Sequence, residues 1–240
     1  MNLRYVAGYA WFAGVHSVKE NYPYLIAHLA LPLSLIFIVG VLSHGALLPF
    51  ALAGGTVMAI ASDGAGTAQE LTYLRLEYMY QDFIVATKTG PIDYMLGEIF
   101  AGLPWVTPSI ILYFALDAVY GMLTLYNLVM TLIVSVLLVV SVSSLAFLLS
   151  SRMKHARLIG PYSLIFSYAM TVLPPTFYPF NYLPRWIVTA LAVFPTTPAA
   201  VLEQGFFGLE PTAWYMLGIL ALEALVYFAM ARSFTRWREK

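Results

Sequence analysis

Long apolar stretches separated by short polar ones dominate the pattern of this 240-residue chain. Six of them approach the roughly 20 residues that a helix needs to cross about 30 Å of hydrocarbon. They cover residues 24–42, 47–62, 98–119, 125–150, 158–176 and 211–232. All six are predicted to be helices, because an open strand edge in lipid would leave backbone groups without hydrogen-bond partners. The pattern therefore predicts an all-α integral membrane protein with six transmembrane helices in one domain, residues 1–240.

The composition excludes an ordinary soluble protein. Hydrophobic residues make up 61% of the chain and charged residues only 10%, whereas soluble domains carry about 25% charged residues. The chain contains no cysteine, so disulfides, thiol catalysis and thiolate metal sites are excluded. It has no basic patch with interleaved aromatic residues, so we expect no nucleic-acid partner. Membrane lipid is expected to surround the protein.

The positions of Lys and Arg predict the orientation, because basic residues accumulate in cytoplasmic segments. With a cytoplasmic N-terminus and six spans, Arg185 is the single basic residue on the external side. The others fall in cytoplasmic segments: Arg4, Lys19, Arg75, Lys88, Arg152, Lys154, Arg157, Arg232, Arg236, Arg238 and Lys240. We therefore expect a multi-pass protein of the plasma membrane with both termini in the cytoplasm.

Residues 1–22 form an apolar, aromatic-rich segment before the first span. Gly8 and Gly14 interrupt it, and it continues directly into that span, so it does not resemble a cleaved signal peptide. We interpret it as an interfacial amphipathic helix. Its aromatic side chains are expected at headgroup depth: Tyr5, Tyr9, Trp11 and Phe12. A disordered tail is the alternative.

The segment 63–97 is the longest polar region and is predicted to be a cytoplasmic loop. Leu71, Leu74 and Tyr78 recur within it at helical spacing, which indicates an amphipathic helix. Gly90 and Pro91 then interrupt the chain before a new helix can start. Such a loop is either a docking surface or a solvated connector.

Catalytic and metal-binding patterns are absent from the sequence. The four histidines do not pair at metal-binding spacings, and nothing matches the phosphate loop G-x-x-x-x-G-K-[ST]. The run from Asp63 to Gly66 resembles a nucleotide loop only in its glycines. We therefore expect no metal, no cofactor and no enzymatic activity of the chain alone.

Ionisable residues inside a span are functional hypotheses, because burying a charge in hydrocarbon costs several kcal/mol. Glu223 lies near the middle of the last span, and Asp117 lies at the outer end of the third. Each has either a role in a transport path or a structural or interfacial one. Glu98, at the start of the third span, is expected to face the helix N-terminus favourably.

The external segment 177–208 is apolar but interrupted by four prolines, Pro179, Pro184, Pro195 and Pro198. It is too broken for a seventh span and too apolar for a solvated loop. We predict a re-entrant helical hairpin whose two short helices start near Pro184 and Pro195. Arg185 and Glu203 are expected near its surface.

This organisation resembles the ABC-2 family of ABC transporter permeases. The external segment carries the most specific match. The family pattern consists of an aromatic residue and a proline, a Leu-Pro pair, a later proline followed by a small residue, and a glutamine. Here these are Phe177 to Pro179, Leu183, Pro184, Pro195, Thr196 and Gln204. Pro174, Thr176 and Pro198 depart from the family pattern. In the cytoplasmic segment, the residues that resemble the family are Thr89, Pro91, Leu96 and Gly97.

The resemblance implies a permease subunit of an ABC exporter. Such subunits form the substrate path as homodimers or heterodimers and are driven by separately encoded ATPase subunits, which bind the ATP and magnesium. The implied ATPase-coupling residues are Gln81, Asp82, Lys88, Thr89, Pro91, Asp93 and Tyr94. Two alternatives stay open: an ion-coupled secondary transporter in which Glu223 or Asp117 carries the proton, and a membrane scaffold subunit that transports nothing.

Overall fold

The structure is a computed structural model that describes residues 2–234, so Arg236, Arg238 and Lys240 lie outside it. Within this range every regular element is helical. A π-helical segment, Ala10–His16, follows the first helix, and two single 3₁₀ turns occupy Ala156–Leu158 and Phe180–Tyr182. The α-helices are α1 Leu3–Tyr9, α2 Ser17–Glu20, α3 Tyr22–Leu42, α4 Leu48–Ala53, α5 Gly55–Leu76, α6 Tyr80–Val85, α7 Pro91–Val119, α8 Leu125–Arg152, α9 Ile159–Thr171, α10 Arg185–Leu191, α11 Thr196–Phe206 and α12 Tyr215–Phe234.

Three helices of the described range are long and apolar enough to cross a membrane. They are α7, α8 and the Tyr215–Ser233 part of α12. The fourth predicted span, 125–150, is confirmed as a helix almost to the residue, because Thr124 caps the start of α8 through a 3.2 Å hydrogen bond from the Asn127 amide. These helices fit a membrane protein.

The second predicted span differs most from the structure. A break at Gly54 separates α4 from α5, and α5 then continues to Leu76 instead of ending near Ser62. Gly54 lies so close to the end of the fifth predicted span that a Cβ atom there would be 1.9 Å from the Thr176 carbonyl oxygen. The Asp63–Gly66 run is therefore part of a helix and not of a loop.

The predicted loop 63–97 is much shorter than expected. Non-helical backbone is confined to residues 77–79 and 86–90, on either side of α6. The third predicted span starts at Pro91 instead of Glu98, because the Asp93 side chain accepts a hydrogen bond from the Gly90 amide at 3.2 Å and caps the helix. Glu98 is consequently in the second turn of α7 and not at its N-terminus.

The fifth predicted span, 158–176, is also wrong in length. Its helix α9 has 13 residues and ends at Thr171, so it is about 20 Å long at 1.5 Å per residue. Pro174 and Pro175 follow, and proline lacks the amide hydrogen that would continue a helix.

The core surrounds α8, which packs against α5, α11 and α12. Fully buried apolar side chains meet there: Leu138 and Val142 of α8, Leu202 of α11 and Leu220 of α12. Every residue of α11 is buried. The long helices α5 and α7 flank this core, and the N-terminal segment packs on α7.

Candidate functional site

A cavity of about 520 Å³ lies between the N-terminal segment, α5 and α7. The N-terminal segment contributes Ala13, Ser17 and Asn21 to its wall. The lining residues of the two long helices are Asp63, Gly66, Thr67, Gln69, Glu70, Tyr73, Glu98, Ala101, Gly102 and Trp105. This volume is within the usual range for small-molecule sites.

Three carboxylates face this cavity: Asp63 and Glu70 from α5, and Glu98 from α7. Asp63 and Glu70 are seven residues apart, which places them on one side of the helix, two turns from each other. Glu70 is exposed, whereas Glu98 is buried. None of the described lining residues is Lys, Arg or His, so the cavity is acidic.

Glycines allow the N-terminal segment to lie closely against α7. A Cβ atom on Gly14 would be 2.9 Å from the Ala101 carbonyl oxygen, and one on Gly97 would be 3.2 Å from the Tyr9 ring. The Trp105 indole nitrogen donates a long hydrogen bond, 3.4 Å, to the Ala13 carbonyl. The segment therefore forms a fixed wall of the cavity.

An aromatic cluster below this wall holds Glu98 in place. The Tyr9 hydroxyl donates to Glu98 Oε1, and Tyr94 forms a second hydrogen bond with the same carboxyl group. The Tyr9 ring stacks on Tyr5 at 5.7 Å and on Tyr80 at 6.0 Å between centroids. Burial raises the pKa of the Tyr5 and Tyr80 hydroxyls, so both stay neutral at physiological pH.

Tyr9 is buried and Tyr5 is stacked on it, so these two side chains contact the protein and not the lipid; their position at headgroup depth stays a prediction. The predicted helix is also divided into α1, the π-helical segment and α2. Trp11 and Phe12 point outward, with most of each side chain exposed. One face of the N-terminal segment therefore packs against the protein, and the other face is exposed.

The predicted ATPase-coupling residues separate into exposed and buried sets. Asp82 and Lys88 are exposed, and Pro91 is partly exposed at the start of α7. Gln81, Thr89, Asp93 and Tyr94 are buried. Asp93 is fully engaged, because its second oxygen accepts a hydrogen bond from the Asn2 amide at 2.9 Å. It thereby anchors α1 to α7.

Gln204 is the most connected residue of the external motif. Its Nε2 donates to the carbonyls of Pro175 at 2.6 Å and Tyr178 at 2.9 Å, and its Oε1 accepts from the Phe180 amide at 3.0 Å. The residue thereby ties α11 to the proline-rich connection after α9.

The other motif residues surround this clamp. Pro179 precedes the Phe180–Tyr182 turn, and Pro184 and Pro195 immediately precede α10 and α11, as expected for the two short helices. Leu183 packs against the core, and the buried Thr196 hydroxyl contacts the Met170 sulfur at 3.9 Å.

Glu203 is not near the surface, as the sequence suggested, but completely buried. One of its oxygens accepts a 2.5 Å hydrogen bond from the Thr131 hydroxyl, while the other has no partner. Asp117 is also buried, with one unpartnered oxygen, and its negative charge acts on Glu203. Of the roles that the sequence leaves open for Asp117, an interfacial one in contact with water does not agree with this burial.

Glu223 lies in α12 and is buried, as its position in the span predicts. Neither of its carboxyl oxygens has a hydrogen-bond donor in direct contact. The nearby Tyr227 hydroxyl donates instead to the Val193 carbonyl, in the turn between α10 and α11, at 2.5 Å. Glu223 is therefore at the interface between α12 and the external segment.

No protein-family model and no curated protein matches this sequence. The resemblance to ABC-2 permeases accordingly depends on the motifs and on their order along the chain.

The cavity was not predicted from the sequence. Asp63 and Glu70 were assigned to a polar loop, where carboxylates need no special explanation. The signal that could have identified them is their seven-residue spacing within a stretch of Gly, Ala and Thr, which continues the second apolar segment without a helix-breaking proline.

Proposed function

We propose that the chain is the permease subunit of an ABC exporter in the plasma membrane. In this proposal six segments span the membrane, both termini are cytoplasmic, and α10 and α11 form a re-entrant hairpin on the external side. Two copies, or this chain and a homologous permease, form the substrate path. A separate ATPase subunit supplies the energy from ATP, and the chain itself catalyses nothing.

The observation that carries this proposal is the exposed surface around α6. Tyr78, Met79 and Phe83 expose 74%, 66% and 67% of their surface, and the charged side chains of Asp82 and Lys88 lie beside them. We call these five residues the α6 tip. Large apolar side chains with a charged rim are typical of a surface that binds another protein.

The position of the α6 tip suits coupling to a distant membrane path. It connects α5 with α7, and these two helices form opposite walls of the cavity. The buried Ile84 and Gln81 attach α6 to the rest of the protein. A partner that moves the tip therefore moves both helices, and movement at the cytoplasmic end reaches the membrane through rigid elements.

The proposal is tested by reversing the two charges, Asp82→Lys with Lys88→Glu, in the affinity-tagged full chain. We expect the wild-type chain to co-purify with an ATPase subunit that carries a phosphate loop and hydrolyses ATP. The reversed variant should lose most of that subunit and keep its own helical content. Arg185→Glu, on the external side, is the matched control and should retain the ATPase.

A secondary transporter is the second candidate, and the buried carboxyl oxygens without a hydrogen-bond partner in Glu223, Asp117 and Glu203 favour it. Buried carboxylic acids of this kind are typical of proton relays. This candidate predicts uptake or export driven by a proton gradient without any ATPase. It also predicts that Glu223→Gln abolishes transport, whereas the exporter retains ATP-driven transport in that variant.

A further inference from the structure

The docking of an ATPase at the α6 tip leaves the acidic cavity without a role. Its described lining residues supply three carboxylates and no side chain that carries a positive charge. Glu98 is buried, Asp63 is partly buried and Glu70 is exposed. A carboxyl group that is removed from bulk water is either protonated or paired with a cation, because an unpaired buried charge costs several kcal/mol. A cationic ligand would therefore stabilise the ionised form of these groups.

The carboxylates are held in position in spite of their mutual repulsion. Burial and, to a smaller extent, the nearby Glu70 raise the pKa of Asp63, and Glu70 also acts electrostatically on Glu98. Like charges destabilise each other at short range. Two tyrosine hydroxyls nevertheless hold Glu98 in place. These hydrogen bonds fix the orientation of the Glu98 carboxyl group, whose ionised form a nearby cation would stabilise.

A single metal ion does not fit this arrangement. Within residues 2–234, no group of three or more His, Cys, Asp or Glu side chains is close enough to hold a metal ion. The three carboxylates are thus distributed around the cavity instead of converging on one point. A cation that contacts all three of them must therefore be larger than a single metal ion, and a volume of about 520 Å³ accommodates such a molecule.

The remaining wall suits an aromatic or apolar body. Trp105 and Tyr73 contribute ring surfaces, and Gly66, Ala101 and Gly102 keep the space between the helices open. Tryptophan and tyrosine rings attract ammonium groups through their negative faces.

We propose that this cavity binds an extended organic cation, whose charged and N–H groups reach Asp63, Glu70 and Glu98 at separate points and whose apolar body lies against Trp105 and Tyr73. Binding requires only this chain. The test of cation binding is therefore independent of ATPase docking, and a chain without a partner ATPase still binds the cation.

The test uses the purified full chain in lipid nanodiscs and ethidium, a planar aromatic cation, with fluorescence anisotropy as the readout. We expect saturable binding of one ethidium per chain above the partitioning into empty nanodiscs. Asp63→Asn and Glu70→Gln should each weaken binding by about tenfold, as for loss of a hydrogen-bonded charge partner. Glu77→Gln, an exposed carboxylate at the end of the same helix, is the matched control and should not change the affinity.

A second measurement leaves the charges intact. Because the chain has no cysteine, Thr67→Cys introduces a single thiol into the cavity wall, and Thr87→Cys introduces one at an exposed position between α6 and α7. Ethidium should slow maleimide labelling at position 67 and leave position 87 unaffected. The anionic dye anilinonaphthalene sulfonate should protect neither.

The proposal is overturned if the wild-type chain binds no more ethidium than empty nanodiscs. It is also overturned if the Asp63→Asn, Glu70→Gln double variant binds with wild-type affinity, or if ethidium protects both cysteines equally. A double variant that does not fold leaves the cysteine protection experiment to decide.

Discussion

The three hydrogen bonds of Gln204 predict that Gln204→Met loosens the connection between α9 and α10. Methionine has a similar length and volume but neither donates nor accepts strongly, so the substitution removes the polar contacts while the packing of α11 is retained. The bonds that are lost join Gln204 to Pro175, Tyr178 and Phe180.

The expected magnitude follows from the number of bonds. Each buried neutral hydrogen bond contributes about 1 kcal/mol net, so three contribute about 3 kcal/mol. Since about 1.4 kcal/mol corresponds to a factor of ten, local opening should become roughly a hundred times more frequent. Exchange of the Phe180 amide hydrogen reports this opening directly, because the Phe180 amide donates a hydrogen bond to the Gln204 side chain.

Hydrogen exchange measured by mass spectrometry on a peptide that contains Phe180 is the assay. Asn181→Ala is the control, because the Asn181 side chain is exposed in the same turn; it should leave exchange unchanged. Gln204→Glu should open the segment at least as much as Gln204→Met, because it places a second acceptor against the Pro175 and Tyr178 carbonyls. Exchange within threefold of the wild-type rate in Gln204→Met would refute a clamping role.

Two further predictions concern backbone contacts. Gly54→Ala should lower the free energy of unfolding by about 1–3 kcal/mol, because its Cβ would overlap the Thr176 carbonyl. Gly218→Ala is the control and should be neutral or stabilising, since a Cβ there would have no atom within 4 Å. Equal unfolding temperatures of the two variants would contradict the close approach of Gly54 to Thr176. Asp93→Ala should lower the free energy of unfolding by about 1–2 kcal/mol through the loss of a helix cap, and it should speed proteolytic cleavage of the N-terminal segment. Asp82→Asn, at an exposed position, is the control and should change neither quantity. An unchanged cleavage rate in Asp93→Ala would show that other contacts hold α1.

The regular parts of the fold are well predicted by the sequence. The α8 helix follows directly from an unbroken apolar run with a threonine cap, and the prolines of the external segment correctly predict where α10 and α11 begin. In these cases the deciding interactions lie within a few residues of each other, so the local pattern contains them.

The parts that were not predicted depend on contacts between distant segments. Tyr9 and Glu98 are 89 residues apart in sequence, and no hydropathy pattern indicates that one would bury the other. Similarly, Glu203 reads as a surface residue until Thr131 of α8 is placed beside it. The extension of α5 beyond Ser62 was missed because its polar side faces a cavity, which the N-terminal segment and α7 complete.

The docking of an ATPase subunit at the α6 tip is tested most directly by site-specific photo-crosslinking. A benzophenone amino acid replaces Phe83, which is exposed at the tip, or Thr107, which is exposed on α7, in cells that produce the full chain. The proposal predicts that position 83 crosslinks to a subunit that contains a nucleotide-binding phosphate loop and that position 107 does not. Crosslinking of position 83 to lipid alone, in cells where the chain still transports its substrate, would contradict it.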